Sequence, residues 1–188
     1  HSCLVPGMKL HLDWSAYENA GQGDAYAGIP ATGGDFARAV SVCIRDKHCQ
    51  TLGKGVMCPS FRVTNDPFHS PGGRVEVLKD ALNGELGDQP FIHSRLLAAM
   101  DLCLGRKGCQ RECANQVDMA AIKVETLAQR NALSGTPLRD RLFAGLPRWL
   151  RRRTFLRKLI RFRNANPWVA RLGARWLGIA AGRPLPEP

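Results

Sequence analysis

Six of the seven cysteines stand in two clusters that repeat one spacing. Cys43-Ile-Arg-Asp46-Lys-His48-Cys49 and Cys103-Leu-Gly-Arg106-Lys-Gly-Cys109 both read C-x5-C, and each is followed by one more cysteine, Cys58 or Cys113. In the bacterial ferredoxin pattern, C-x2-C-x2-C-x3-C-P, three close thiolates hold one iron–sulfur cluster and the cysteine before proline crosses to the other, so paired blocks imply paired clusters. Here the middle cysteine of each block is replaced, by Asp46 in the first and by Arg106 in the second. The chemistry announced is electron transfer, with an incomplete ligand set.

The elements that must position these thiols belong to a chain of 188 residues with 44% hydrophobic content, enough for one ordinary core with an appendage. No apolar run approaches the roughly 18–20 residues that cross a bilayer, and the opening His1-Ser-Cys3-Leu-Val-Pro-Gly7 lacks the regions of a signal peptide. An odd number of cysteines grouped at ligand spacings fits metal or cluster ligation in a reducing cytoplasm better than a disulfide framework. The missing initiator Met and the ending Arg183-Pro-Leu-Pro-Glu-Pro188 read as cuts through a longer polypeptide.

Turn-rich residues 1–34 read as a leader around one period-2 segment, Met8 to Trp14. Asp35 is expected to cap a helix over Phe36 to Cys43, delivering the first cysteine block from its C-terminal end. Further helices are expected over Arg74 to Leu82, over Ile92 to Leu102, and from a cap at Asp118 to about Gln129, closed by Gly135 and Pro137. Pro147 and Pro167 sit where proline opens helices, which gives Arg148 to Arg163 and Trp168 to Ala180. The reading is mainly α, with the cysteine blocks in loops between helix ends. Its boundaries are a leader over 1–34, a cysteine-bearing domain over 35–136 and a basic helical extension over 137–188.

Several ordered blocks are familiar in sequence. Met57-Cys58-Pro-Ser-Phe-Arg-Val-Thr64, His69-Ser-Pro-Gly-Gly-Arg74, Asp101-Leu-Cys103-Leu, and Cys113 with Val117-Asp-Met-Ala120 resemble the iron–sulfur region of FAD-linked oxidases of the D-2-hydroxyglutarate and D-lactate dehydrogenase type. Asp13-Trp14 and Gly34-Asp-Phe-Ala37 look like that family's connection from its flavin half. The resemblance implies a helical ferredoxin-like domain that passes electrons from reduced flavin to an acceptor. It places the FAD and the hydroxyacid site in an upstream domain, so no complete catalytic site is expected in this chain alone, and further domains of the same polypeptide are its expected partners. The chain departs from the family pattern at Arg106, at Ala114 in place of proline, and in the first block, where Ile44-Arg-Asp-Lys-His48 stands in place of a glycine-rich run.

By the crossover rule, Cys58, Cys103 and Cys109 share one site and Cys43, Cys49 and Cys113 the other. Three thiolates suit a three-iron cluster (3Fe-4S), and Asp46 offers a carboxylate that would complete a four-iron one (4Fe-4S). Arg106, Lys47 and Lys107 are expected to stabilise cluster charge and raise the potential. Two other readings stand beside this one. Zinc on Cys43, His48, Cys49 and Cys58 has the right donors at an unusual spacing. Alternatively the chain is a structural or interaction module that has lost its cluster and keeps its cysteines as small buried residues. Cys3 reads as a plain thiol, His69 and His93 as surface or capping residues, and Arg62 and Arg74 as contacts to a cluster loop or a neighbouring domain.

Residues 139–188 hold thirteen of the 27 Lys and Arg but only Asp140 and Glu187 as acids, a net of +11, while the first 138 residues balance to zero. Trp149, Leu156, Leu159 and Ile160 can share an apolar face of a helix carrying Arg151, Arg157, Lys158 and Arg161. Packing of that face on other protein is favoured over a peripheral contact of 148–180 with the inner membrane face. No nucleic-acid motif accompanies the charge.

Overall fold

The structure, a computed structural model, describes residues 8–23, 27–51, 53, 55–151 and 153–187. Cys3 lies outside them. The described residues form helices, turns and irregular segments with no strand, so the fold is mainly α. The chain divides into two compact units, one up to Ser134 and one from Gly135.

The first unit contains α1 (Gly34–Ser41), α2 (Pro59–Thr64), α3 (Pro71–Leu82), α4 (Ser94–Asp101), α5 (Gly108–Glu112) and α6 (Met119–Ser134). Its core follows from apolar residues three or four apart on successive helices. Phe36 and Val40 of α1 meet Val75, Leu78 and Leu82 of α3, Leu96 and Met100 of α4, and Met119 and Ile122 of α6, all buried. Trp14 closes one side, its ring 5.1 Å from that of Phe36. Cys43, Cys103, Cys109 and Cys113 lie half-buried against this core. A small second cluster of Met57, Cys58 and Phe61 packs against Cys49 and Cys109.

Several helix starts differ from the sequence reading, each for a local reason. α1 begins not at a capping Asp35 but after Gly33, whose φ of 107° is glycine territory. A Cβ on Gly33 would come within 3.2 Å of Ala37 and of Leu82, so the close approach of α1 to α3 also demands glycine. Asp35 instead falls in the first turn, 4.0 Å from Arg38. α3 starts before Arg74 because the Ser70 hydroxyl accepts from the Gly73 amide at 3.0 Å and Pro71 opens the helix. α4 starts at Ser94, where His93 Nδ1 accepts from the Arg95 amide at 3.2 Å. Asp118 does cap α6, accepting from the Ala121 amide at 3.0 Å, and the helix runs on to Ser134.

Met8 to Trp14 forms no strand. The side chain of Glu125, fully buried on α6, accepts from the amides of His11 at 3.0 Å and Leu12 at 2.8 Å and from Trp14 Nε1 at 3.2 Å. A buried carboxylate thus takes the backbone donors that a neighbouring strand would have taken.

The second unit contains α7 (Leu138–Leu150), α8 (Arg153–Ala165) and α9 (Pro167–Leu177). Pro167 opens α9 as expected. Pro147 does not open a helix. It lies inside α7, near the C-terminal end and exposed, where its missing N–H disrupts little beyond the last turn. No helix among the described residues is long and apolar enough to cross a membrane.

Candidate functional site

Two small cavities collect the six thiols of the first unit. One, with about 20 Å³ of free space, is lined by Cys43, Cys49, Cys109 and Cys113 together with Asp46 and His48. The other, also with about 20 Å³, is lined by Cys58, Cys103 and Cys109 together with Arg74 and Arg106. Cys109 borders both. All six thiols are free.

Among the described residues no three His, Cys, Asp or Glu side chains are arranged to hold a single metal ion. The four zinc donors of the sequence reading are separated, since Cys58 borders a different cavity from Cys43, His48 and Cys49. In a three- or four-iron cluster each thiolate binds a different iron, so its ligands surround a volume and do not converge on a point.

Local sequence places each thiol. Cys43 follows α1 directly, and the loop to Cys49 turns through Arg45 and Lys47, at φ 61° and 59°. These are conformations that glycine adopts freely and other residues hold at a cost of about 1–2 kcal/mol each. The Arg-Asp-Lys loop therefore keeps a backbone path suited to a glycine-rich one. Asp46 Oδ1 accepts from the His48 amide at 3.1 Å, so one carboxylate oxygen shapes the loop while the residue borders the cavity. Cys109 sits within α5 and Cys49 within a 3-10 turn over His48–Gln50, not in plain loops.

The run Ser70-Pro-Gly-Gly-Arg74 at the start of α3 touches both cavities. The Gly72 amide donates to Cys49 Sγ at 3.3 Å, and a Cβ on Gly72 would stand 3.2 Å from that sulfur. A Cβ on Gly73 would stand 2.2 Å from the carbonyl oxygen of Pro67. Arg74, only 1% exposed, donates from Nε to the Ala99 carbonyl at 2.7 Å, from one terminal nitrogen to Cys58 Sγ at 3.2 Å and from the other to Ser60 Oγ at 2.8 Å. None of these partners is a carboxylate. A charge taken out of water needs a compensating one, and the group facing it here is a thiol.

The environments of the sulfurs differ accordingly. Burial pushes Cys58 up, but hydrogen bonds from Ser60, Arg74 and the Phe61 amide outweigh it and hold the thiol below its ordinary value. Burial raises Cys43, and it raises Cys49 despite the Gly72 amide. Burial, with Cys103 and Cys58 as neighbours, pushes Cys109 up to about 11.

The other expected cations give their hydrogen bonds to oxygen acceptors, although Arg106 also borders the second cavity. Arg106 donates to the carbonyls of Val56 and, at 3.2 Å, Met57, so this exposed residue ties down the loop before Cys58. Lys107 is exposed and pairs with Asp118 at 2.8 Å. Arg62 donates to the Gly53 carbonyl at 2.9 Å, bracing the same loop. His69 is partly exposed but caps nothing through Nδ1, which is buried and without a hydrogen-bond partner among the described residues. Sequence reasoning missed the contact of Gly72 to sulfur and expected Arg74 only to contact a cluster loop or a neighbouring domain. The signal available was the Ser-Pro-Gly-Gly-Arg run itself, a capped helix start whose glycines ask what approaches them so closely.

No family model matches the chain, and no solved structure matches it. It is similar to the D-2-hydroxyglutarate dehydrogenase of Escherichia coli (strain K12), 21% identical over an alignment of 193 positions, gaps included, with 78% of this chain covered. It is also similar to the D-2-hydroxyglutarate dehydrogenase of Pantoea ananatis (strain AJ13355), 22% identical over an alignment of 157 positions, gaps included, with 65% of this chain covered. The matched regions make up 19% and 15% of those proteins, so the chain spans less than a fifth of the length of the curated relatives it matches.

Proposed function

We propose that this chain is the iron–sulfur electron-transfer module of a flavin-dependent D-2-hydroxyacid dehydrogenase, carrying electrons from a reduced FAD on another domain toward an acceptor. The observation that carries the reading is Arg74, a buried guanidinium without a carboxylate partner among the described residues, aimed at the sulfur of Cys58 where Cys103 and Cys109 border the same cavity. An anionic thiolate-bound group there would balance the charge. When bound, an iron–sulfur cluster supplies storage for one electron at a time. Cys58, Cys103 and Cys109 would hold one such group and Cys43, Cys49 and Cys113 the other. The Gly72 amide and Arg74 stabilise negative sulfur, and the surrounding apolar residues keep water from it.

Anaerobic expression with iron and sulfide, followed by iron and acid-labile sulfide analysis and low-temperature EPR of oxidised and dithionite-reduced chain, tests the reading. Near-stoichiometric iron and sulfide with a cluster signal supports it. A well-folded chain that takes up neither overturns it and leaves the structural-module alternative.

For the second unit we infer a docking surface for an anionic bilayer. Phe155, Phe162, Trp168 and Trp176 are 68%, 55%, 65% and 71% exposed. They stand among the basic residues of a segment with a net charge of +11, and Glu187 is already shared by Arg157 at 3.1 Å and Arg161 at 3.0 Å. Aromatic rings at the headgroup boundary with arginines beside them complement a negative surface, at about 1 kcal/mol per basic residue. Flotation with phosphatidylglycerol and with phosphatidylcholine vesicles separates the cases. Salt-sensitive binding to the anionic vesicles alone is expected, and no binding to either, or equal binding to both, refutes the inference.

A further inference from the structure

The two cavities differ in charge. At the one lined by Cys58, Cys103 and Cys109, Arg74 donates directly to Cys58 Sγ, Arg106 borders the opening, and Lys123 donates to the Cys103 carbonyl. At the one lined by Cys43, Cys49 and Cys113, the contact to sulfur comes from the neutral Gly72 amide, and the charged lining residue is Asp46. The buried cation on that side, Lys79, acts on Cys43 only through space, since its Nζ donates to the Ala27 carbonyl at 3.0 Å and not to a sulfur. The exposed Arg45 is 3.7 Å from Glu76.

We propose that Arg74 is the fixed counter-charge of the Cys58, Cys103 and Cys109 site and makes it the terminal electron store of the module, with the Cys43, Cys49 and Cys113 site on the donor side. The proposal rests on the iron–sulfur reading. Reduction adds one negative charge to a thiolate-held group, and positive charge or hydrogen bonding at its sulfurs stabilises the reduced form. Arg74 supplies both at once, and its burial removes the solvent screening that would weaken an exposed cation. The step is the movement of one electron, delivered by reduced flavin. The donor site is oxidised and the acceptor site reduced by the same electron, no bond forms or breaks, and Arg74 keeps its proton throughout. Arg74 is a positioning and charge-setting residue.

The test is an EPR-monitored redox titration of the full chain reconstituted with iron and sulfide. Wild type is compared with Arg74→Gln, Arg74→Lys, Cys58→Ala and Cys43→Ala. The higher-potential signal of the wild type should vanish in Cys58→Ala and survive in Cys43→Ala. In Arg74→Gln the ratio of reduced to oxidised form of that signal, at a fixed potential, should fall at least tenfold, about 59 mV for a one-electron couple, with Arg74→Lys between. Two results overturn the proposal: a higher-potential signal that survives Cys58→Ala, or an unmoved potential in an Arg74→Gln chain that binds iron and sulfide as wild type does. Should Arg74→Gln fail to fold by circular dichroism, the two cysteine variants decide alone. An absence of iron and sulfide in the wild type fells the electron-relay reading and this proposal together, whereas an unmoved potential in a loaded chain fells this proposal only.

Discussion

Replacing Glu125 with alanine should unfasten the segment that leads into α1. The carboxylate is fully buried and accepts from the His11 and Leu12 amides, from Trp14 Nε1 and, at 2.8 Å, from Gln129 Nε2. Each buried donor left without an acceptor costs about 1–3 kcal/mol. The exposed backbone of His11 and Leu12 can recover part of this from water by lifting away, but that pulls the 4%-exposed Trp14 off Phe36. We therefore expect Glu125→Ala to cost about 3–5 kcal/mol, a large share of an ordinary stability of about 5–15 kcal/mol. Glu125→Gln, which keeps the shape and one acceptor oxygen, should cost about 1–3 kcal/mol. The pH dependence has a defined sign. Burial pushes this carboxyl up, but the bonds from Gln129, Leu12, His11 and Trp14 outweigh it, so the folded-state value lies below the 4.5 of a free glutamate. A depressed carboxylate contributes fully above the unfolded value and loses its contribution as pH falls through the folded one. The gap between wild type and Glu125→Gln in urea unfolding should therefore be constant at neutral pH and shrink in acid below about 4.5. Hydrogen exchange at His11 and Leu12 should accelerate in both variants. Equal stabilities, a gap that grows in acid, or unchanged protection of those two amides would refute the reasoning.

Gly73→Ala must move either α3 or the Pro67 turn, because its Cβ would lie 2.2 Å from the Pro67 carbonyl oxygen. Thermal unfolding should show a loss of at least about 1–3 kcal/mol, and a variant as stable as wild type would mean that the close approach is dispensable. Arg106→Cys should raise iron per chain and replace a three-iron EPR signal by a four-iron one if the cavity behind Cys58 holds a cluster, and unchanged iron content would count against that cavity. Asp118→Ala should cost about 1 kcal/mol in urea unfolding, as the Ala121 amide loses its cap and Lys107 its partner. A difference within the error of the fit would show the cap to be redundant.

The helices were legible where apolar spacing and stop signals agree. The apolar positions of α3, α4 and α6 are visible in the sequence, and so is the cap at Asp118. Helix starts were less legible, because the groups that set them are context-dependent. Ser70 and His93 cap only once the chain has turned toward them, and Gly33 is chosen by the approach of α1 to Leu82. Pro147 misled because proline signals a helix start only by prior expectation, and an exposed last turn tolerates it. The cysteines declare themselves by spacing, but what acts on their sulfurs does not. Arg106 borders the second cavity but gives its hydrogen bonds to backbone carbonyls, while Arg74, expected to contact a cluster loop or a neighbouring domain, is buried on Cys58. Sequence gives the charge of a side chain, and only the fold gives its direction.

The contacts of Gly72 to Cys49 and of Arg74 to Cys58 lie two residues apart in the first turn of a single helix. A helix advances about 1.5 Å per residue and bends little over one turn, so α3 acts as a ruler laid between two groups of thiols that belong to distant stretches of chain. Disturbance at one end is transmitted to the other as a rigid displacement. Substitutions at Gly72 and Arg74 should therefore be coupled, with a combined effect that differs from their sum.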